Sequence, residues 1–288
     1  MRTCWRLCLI VLILAALSAA QRTATLTTVP FDSPLLKARA PISVILPAGY
    51  SGSPARFPVL YLLHGLWGHY DDWAEKTNVL AYANGLPLII VMPEGANGWY
   101  TNAVNQGPRW EDYIVQEVIP YVDEHFRTLQ DVRSRGIAGL SMGGYGALKL
   151  ALKHPDMFSF AGSLSGALEV PGLSDAALGN PDGVLYQSVH TAFGPAGGTA
   201  RTANNLATLL AAAHGPLPFF YLDCGTEDQL VDSSRRFTQA LAARKLPHEY
   251  LERPGIHNWK EWDHQIREVL QLLAERWRLA GTAAVSGS

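Results

Sequence analysis

The chain has 288 residues, of which 48% are hydrophobic and 17% charged, with 23 basic against 25 acidic side chains and a formal net charge of −2. That length is enough for one large α/β domain with a well-buried sheet. A near-balanced charge with no basic stripe speaks against nucleic acid as a partner. No His or Cys cluster has metal-ligand spacing, so neither a metal nor a cofactor is expected.

The chain opens with Arg2 and Arg6, an apolar run over residues 7–17, and the small residues Ser18, Ala19 and Ala20. A basic start, a short apolar centre and small residues at the end describe a cleavable secretory signal over residues 1–20. The apolar run falls short of the roughly 20 residues that a membrane span needs, so no stable membrane anchor is expected. The expected location is secreted or periplasmic. Cleavage would remove Cys4 and Cys8 and leave Cys224 without an internal disulfide partner, so stability must rest on the core. It would also remove two arginines, leaving 21 basic against 25 acidic residues, a net charge of −4.

Residues 21–288 read as a single domain. Strand-like runs at 42–46, 59–63, 88–92, 135–138, 160–164, 219–222 and 249–252 alternate with helical patterns after the second of them. This alternation predicts an α/β fold with a mostly parallel central sheet and helices on both faces.

After the run at 59–63 comes His64-Gly65-Leu66-Trp67-Gly68, a loop at a strand end. His64 is read as shaping that loop. The run at 88–92 leads into a loop over 93–107 that carries Trp99 and Tyr100. From Trp110 a helix presents Tyr113, Ile114, Val118, Tyr121, Val122 and Phe126 on one 3.6-period face. Pro120 should kink it.

Gly139-Leu140-Ser141-Met142-Gly143 then stands between the apolar run at 135–138 and a helical pattern over 145–153. Serine is a poor nucleophile unless a sharp strand-to-helix turn exposes its hydroxyl to a neighbouring base. The G-x-S-x-G spacing in this context makes Ser141 the candidate nucleophile. Segment 167–202, rich in Gly, Pro and Ala around a helical pattern at 183–193, breaks the alternation. It is expected to overhang the nucleophile as a lid or as a wall of an acyl pocket.

A serine nucleophile needs a base and a group that orients the base, and where the serine sits on such a strand-to-helix turn the acid and then the histidine follow it in the chain. The run at 219–222 enters Asp223-Cys224-Gly225-Thr226-Glu227-Asp228. Asp228, beyond the Gly225-Thr226 turn, is the favoured acid, and Asp223, still near the strand, is the weaker candidate. Asp232 reads as the N-cap of a helix over 233–243. Of the late histidines, His248 starts a strand-like run and His264 falls inside an amphipathic pattern over 262–279. His257 lies in a loop behind Pro254-Gly255 and is the expected base. An oxyanion hole needs two backbone N–H groups, and Leu66 and Met142 are placed to supply them. Trp67, Trp99, Tyr100 and Trp259 fall at predicted active-face loops and are expected to contact substrate in an aromatic-walled cleft.

Six segments carry a resemblance: Tyr61-Leu62-Leu63-His64-Gly65, Trp110-Glu111-Asp112-Tyr113-Ile114, the stretch from Gly139 to Leu148, Ser163-Leu164-Ser165-Gly166, Cys224-Gly225-Thr226-Glu227-Asp228 and Pro254-Gly255-Ile256-His257-Asn258-Trp259. With them the chain resembles the esterase D, feruloyl esterase-like and tributyrin esterase branch of the α/β-hydrolases, which is related to S-formylglutathione hydrolases and mycolyltransferases. The resemblance implies a triad of Ser141, Asp228 and His257. Tyr145 stands where the glutathione-thioester hydrolases typically have a histidine, and that branch, which is cytoplasmic, is disfavoured by the export signal expected over residues 1–20.

The expected activity is that of a secreted serine carboxylesterase cleaving short-acyl or aryl esters of feruloyl or acetyl type through an acyl-enzyme. The partner is then a small-molecule or carbohydrate-linked ester. Acyl transfer to a sugar or other alcohol is the alternative within the enzymes, and a non-catalytic binding protein on the same fold is the alternative outside them.

Overall fold

The computed structural model describes residues 23–279, so the expected export signal at 1–20 lies outside the described residues. Ten strands follow in chain order: β1 (Thr25–Val29), β2 (Asp32–Ser33), β3 (Ala38–Arg39), β4 (Ile42–Leu46), β5 (Val59–Leu63), β6 (Ile89–Pro93), β7 (Arg135–Leu140), β8 (Phe160–Leu164), β9 (Phe219–Gly225) and β10 (His248–Arg253). Eight form one sheet in the order β1-β4-β6-β5-β7-β8-β9-β10, and β2 pairs with β3 in a separate ribbon. β1 and β4 join antiparallel at one edge, and all strands from β6 to β10 pair in parallel.

Strand β5, Val-Leu-Tyr-Leu-Leu, is buried along its whole length. A strand covered on both faces reads as a continuous apolar run instead of an alternating one. Its odd residues Val59, Tyr61 and Leu63 enter one core cluster and its even residues Leu60 and Leu62 the other, as side chains of period two must. Ten helices cover these faces: α1 (Asp72–Lys76), α2 (Val79–Ala83), α3, α4 (Met142–Lys153), α5 (Asp175–Leu178), α6 (Val184–Phe193), α7 (Thr199–Ala203), α8 (Leu206–Ala212), α9 (Val231–Ala243) and α10 (Trp259–Arg276). α3 runs without a break through Trp110–Asp112, Tyr113–Val118 and Ile119–His125. The buried side chains of α1, α2 and α10 join one cluster, and those of α3, α4 and α9 the other.

Three details differ from the sequence expectation. Strands β7 and β9 run on to Leu140 and Gly225 because pairing with β8 and β10 continues there, Leu140 against Leu164 and Gly225 against Arg253. Ahead of Pro120 the ladder of α3 widens, with the Ile119 N–H donating to Ile114 O, five residues back. Proline brings no N–H to the ladder, and the turn that widens before it absorbs the loss. Asp232 is not an N-cap: α9 already starts at Val231, and Asp232 is the exposed residue of its first turn, paired with Arg235.

Behind α4 sits a buried ion cluster. Lys149 of α4, wholly buried, donates to the Glu111 carboxylate at 2.8 Å, to Thr101 Oγ1 at 2.9 Å and to Tyr100 O, while Lys153 and His154 hold the same carboxylate at 2.9 and 3.1 Å. Burial would raise the Glu111 carboxyl, but Lys149, His154 and Lys153 outweigh it and hold the group well below the usual carboxylate range. Removing one partner of such a cluster strands the other charge in a dry interior, at a cost of about 3–5 kcal/mol. Glu111→Ala is therefore expected to lower the free energy of unfolding in denaturant by about that amount; a midpoint equal to wild type would contradict it.

Candidate active site

Ser141 joins β7 to α4 with φ 51° and ψ −114°, a backbone conformation that costs about 1–3 kcal/mol for a residue with a side chain. The surroundings fix it there. Its N–H donates to Leu164 O at 2.9 Å, and its carbonyl accepts from Tyr145 N at 3.1 Å and Ala167 N at 3.0 Å. Gly143 faces the end of β5 so closely that a Cβ there would lie 2.5 Å from Leu63 O and 2.6 Å from His64 O. Only glycine lets α4 start at that spot.

His257 Nε2 lies 3.0 Å from Ser141 Oγ, and His257 Nδ1 lies 2.8 Å from Asp228 Oδ2. The three predicted triad residues thus come together in one hydrogen-bonded line. Asp228 is buried, and its other oxygen accepts from Leu230 N at 2.9 Å. Burial pushes its carboxyl up, but the His257 ring and the Leu230 N–H outweigh that and hold it below its ordinary range. Around the base, Thr226 N donates to Arg253 O at 2.8 Å, Glu227 N donates to Gly255 O at 3.0 Å, and the Glu227 carboxylate accepts from the Gly255 N–H. The loop after β9 and the loop after β10 are therefore laced together. The Trp262 ring meets His257 edge to face at 4.9 Å, and Asn258 caps α10 by accepting from Glu261 N.

The other candidates stand elsewhere. Asp223 is buried within β9, where Arg253 at 2.9 Å and Tyr221 OH at 3.1 Å hold it. Burial pushes its carboxyl up to about 6 against the opposing pull of Arg253. His248 bonds Leu246 O from β10, and His264 is exposed on α10. Cys224 is buried, and desolvation, with Asp228 nearby, pushes its thiol up to about 12, which removes it as a nucleophile.

The expected oxyanion loop lies against the elbow. A Cβ on Gly65 would sit 3.4 Å from Ser141 Cβ. Trp73 Nε1 donates to Leu63 O at 3.0 Å, Tyr100 OH to His64 O at 3.0 Å, Gly68 N to Gly65 O at 3.1 Å and Trp67 N to Asn97 Oδ1 at 2.8 Å. Among the described residues, no acceptor is bonded to the N–H of Leu66 or of Met142, so both donors of the expected pair stand free.

Of the four expected substrate contacts, two are corrected. Trp99 is 1% exposed and Tyr100 fully buried. Trp99 donates from Nε1 to Ser188 Oγ and packs edge to face on Tyr145, so neither ring lines an open cleft. Lys149 pulls this stretch inward by its backbone, and large apolar rings held there complete the core. Trp259 belongs to the first turn of α10 instead of a loop, packed on Trp73 and Trp262 at 5.6 and 5.1 Å. Trp67 alone of the four is strongly exposed, at 66%. The 167–202 segment carries α5, α6 and the start of α7; its Phe193 packs against Tyr145 of the nucleophile helix at 5.9 Å.

Sequence reasoning missed Glu94 and Trp262. Glu94, just past β6, accepts from Gly95 N, Ala96 N and Tyr70 N, and lies 3.4 Å from His64 Nε2. Its position directly after an apolar strand, beside Gly95, was the only signal. Burial alone would raise its carboxyl; His64 and the Ala96 and Gly95 N–H groups outweigh burial and hold it at about 2.

Residues 33–273 match the model of the Esterase family, described as "Putative esterase". The chain is 34% identical over 239 residues to an esterase of Mycobacterium tuberculosis, an alignment that takes in 75% of this chain and 52% of the relative. It therefore spans about half the length of that relative. To an acetyl esterase of Caldicellulosiruptor saccharolyticus it is 27% identical over 256 residues, covering 85% of this chain and 96% of the other. Among solved structures it is similar to the fluorophosphonate-binding serine hydrolase F of Staphylococcus aureus, with a TM-score of 0.79, 27% identity and coverage of 87% and 98%.

The Glu94 geometry sets a pH-dependent brace. A carboxyl held at about 2 against an ordinary 4.5 adds stability that is fully present above pH 4.5 and is lost as pH falls toward 2. Glu94→Gln should reduce unfolding free energy by on the order of 3 kcal/mol between pH 5 and 8, with the deficit shrinking below pH 4.5. Denaturant titrations at pH 7, 4 and 3 check this; a deficit that grew on acidification would contradict it.

Proposed function

Because the chain belongs to the Esterase family, we propose that it is a serine carboxylesterase that cleaves short-acyl or aryl esters through an acyl-enzyme on Ser141. The observation that carries this reading is the unbroken line from Asp228 Oδ2 to His257 Nδ1 at 2.8 Å and from His257 Nε2 to Ser141 Oγ at 3.0 Å. Asp228 accepts a hydrogen bond from the Nδ1–H, which leaves Nε2 free to act as the base.

As Ser141 Oγ bonds to the ester carbonyl carbon, Nε2 takes the hydroxyl proton and the carbonyl oxygen gains charge. The free N–H groups of Leu66 and Met142 receive that charge. The intermediate collapses, the bond from carbon to alcohol oxygen breaks, and Nε2 returns its proton to the departing alcohol. Water, deprotonated by the same nitrogen, then releases the acid and restores Ser141. Asp228, held as an anion, stabilises the imidazolium in both halves.

Similarity to an acetyl esterase and to a serine hydrolase supports the choice of ester over other carbonyl substrates. The composition of residues 1–20 supports action outside the cytoplasm. The insertion at 167–202, packed on the nucleophile helix, is suited to wall the acyl side of the site. A purely binding role would leave the strain at Ser141 and the aligned carboxylate without a use.

Ser141→Ala is expected to lower turnover of a chromogenic acetate by about 10⁶-fold, with an unchanged unfolding midpoint. His257→Ala and Asp228→Asn should each lower it by several orders of magnitude. His248→Ala, His264→Ala and Glu227→Gln should stay within about tenfold of wild type. A Ser141→Ala enzyme that kept a tenth of wild-type turnover would remove the nucleophile from this reading.

A further inference from the structure

Among the described residues the two most exposed large apolar side chains are Trp67, at 66%, and Ile256, at 54%. Each adjoins in sequence a residue of the loops that approach Ser141. Trp67 follows Leu66 on the loop whose Gly65 backs onto Ser141, and Ile256 precedes His257, whose Nε2 reaches Ser141 Oγ at 3.0 Å. A single exposed apolar residue is ordinary on a protein surface. Two such residues, each adjacent in sequence to a group that handles the reacting ester, are a different matter.

Trp67 is also built into place. Its φ of 63° is a left-handed conformation that a bulky residue adopts only under constraint. The constraint is visible in the Trp67 N–H, fixed on Asn97 Oδ1 at 2.8 Å, and in the Glu94 carboxylate, which gathers the N–H groups that open Asn97's own loop. The backbone strain and the exposed indole are both unfavourable to the free protein, and nothing in the fold makes use of them.

The chemistry of the site says which half of the ester would lie there. In the tetrahedral intermediate the oxyanion points to Leu66 and Met142, and the alcohol oxygen must point to His257 Nε2 to receive its proton. A substituent on that oxygen leaves the site past the residue before His257, toward the rim that follows Leu66. Resting on the serine-esterase reading above, we infer that Trp67 and Ile256 form an apolar clamp for the leaving alcohol, and that this enzyme selects esters of flat, apolar alcohols. The acyl group lies away from this rim.

The test varies the alcohol at constant acyl group. Benzyl acetate and ethyl acetate yield the same acetyl-enzyme, so only acylation senses the alcohol, and dividing one kcat/KM by the other cancels effects on the common steps. Trp67→Ala and Ile256→Ser should each lower the benzyl-over-ethyl ratio by about tenfold, the scale of one lost apolar contact. Trp67→Phe should keep most of the ratio. The ratio of benzyl butyrate to benzyl acetate should be unchanged in all three.

A benzyl-over-ethyl ratio within twofold of wild type in both truncated variants overturns the clamp. A shift in acyl-length preference instead would move these residues to the acyl side and overturn it equally. Failure of the wild type to form an acetyl-enzyme on Ser141, read by mass spectrometry of the quenched protein, would overturn the serine-esterase reading and the clamp with it. Wild-type acylation with unaltered variant ratios would overturn the clamp alone.

Discussion

Helix α4 begins where the carbonyls of Leu63 and His64 leave room for no side chain at Gly143. This contact between the ends of two parallel neighbours, β5 and β7, is the constraint from which the site follows. It sets Ser141 against the loop that leaves β5, where a Cβ on Gly65 would lie 3.4 Å from Ser141 Cβ. It also forces the chain through φ 51° at Ser141, and the bonds from Leu164, Ala167 and Tyr145 hold that conformation against its own preference. A looser approach of helix to strand would let the serine relax from that conformation.

Two buried carboxylates tie this arrangement to the rest of the molecule. Glu111 holds Lys149, Lys149 holds the backbone and side chain of residues 100 and 101, and the Tyr100 hydroxyl holds His64 O at the base of the oxyanion loop. Glu94 holds the far side of that loop through His64 and through the turn that carries Asn97. Charges in such settings are expensive unless every lone pair and proton finds a partner, and these find theirs in backbone N–H groups, two ammonium groups and histidine rings. What they supply is rigidity in the loops that leave β5 and β6 beside Ser141.

The sheet was legible because parallel strands buried on both faces read as continuous apolar runs. β4, β5 and β8 fall at the expected residues. β1, Thr-Leu-Thr-Thr-Val, escaped because it is an exposed edge strand whose partner is supplied by β4 alone. That Ser141, Asp228 and His257 would come together was legible because each follows a strand closely, so chain order and loop position bring them to one edge of the sheet without any contact information. The aromatic residues were misread for the converse reason. A loop position says where a backbone goes, but whether Trp99 and Tyr100 face solvent or core depends on Lys149, some fifty positions away in the chain, and on a left-handed turn that no local pattern announces. Glu94 was hidden likewise, since a carboxylate after a strand looks like a surface residue until its four neighbours are assembled.

The base is carried by the outermost strand. β10 pairs only with β9, and none of its residues is fully buried, whereas β5, β7 and β8 are buried throughout. Strands of that kind belong to the part of a protein that opens first in local unfolding, with the central strands opening only in the global transition. The geometry that joins His257 to Ser141 therefore hangs on a weakly protected edge of the sheet, while Ser141 follows directly on the fully buried β7. Warming or mild denaturant would detach the imidazole from an otherwise intact enzyme, and amide exchange in β10 would report that opening well before the sheet itself came apart.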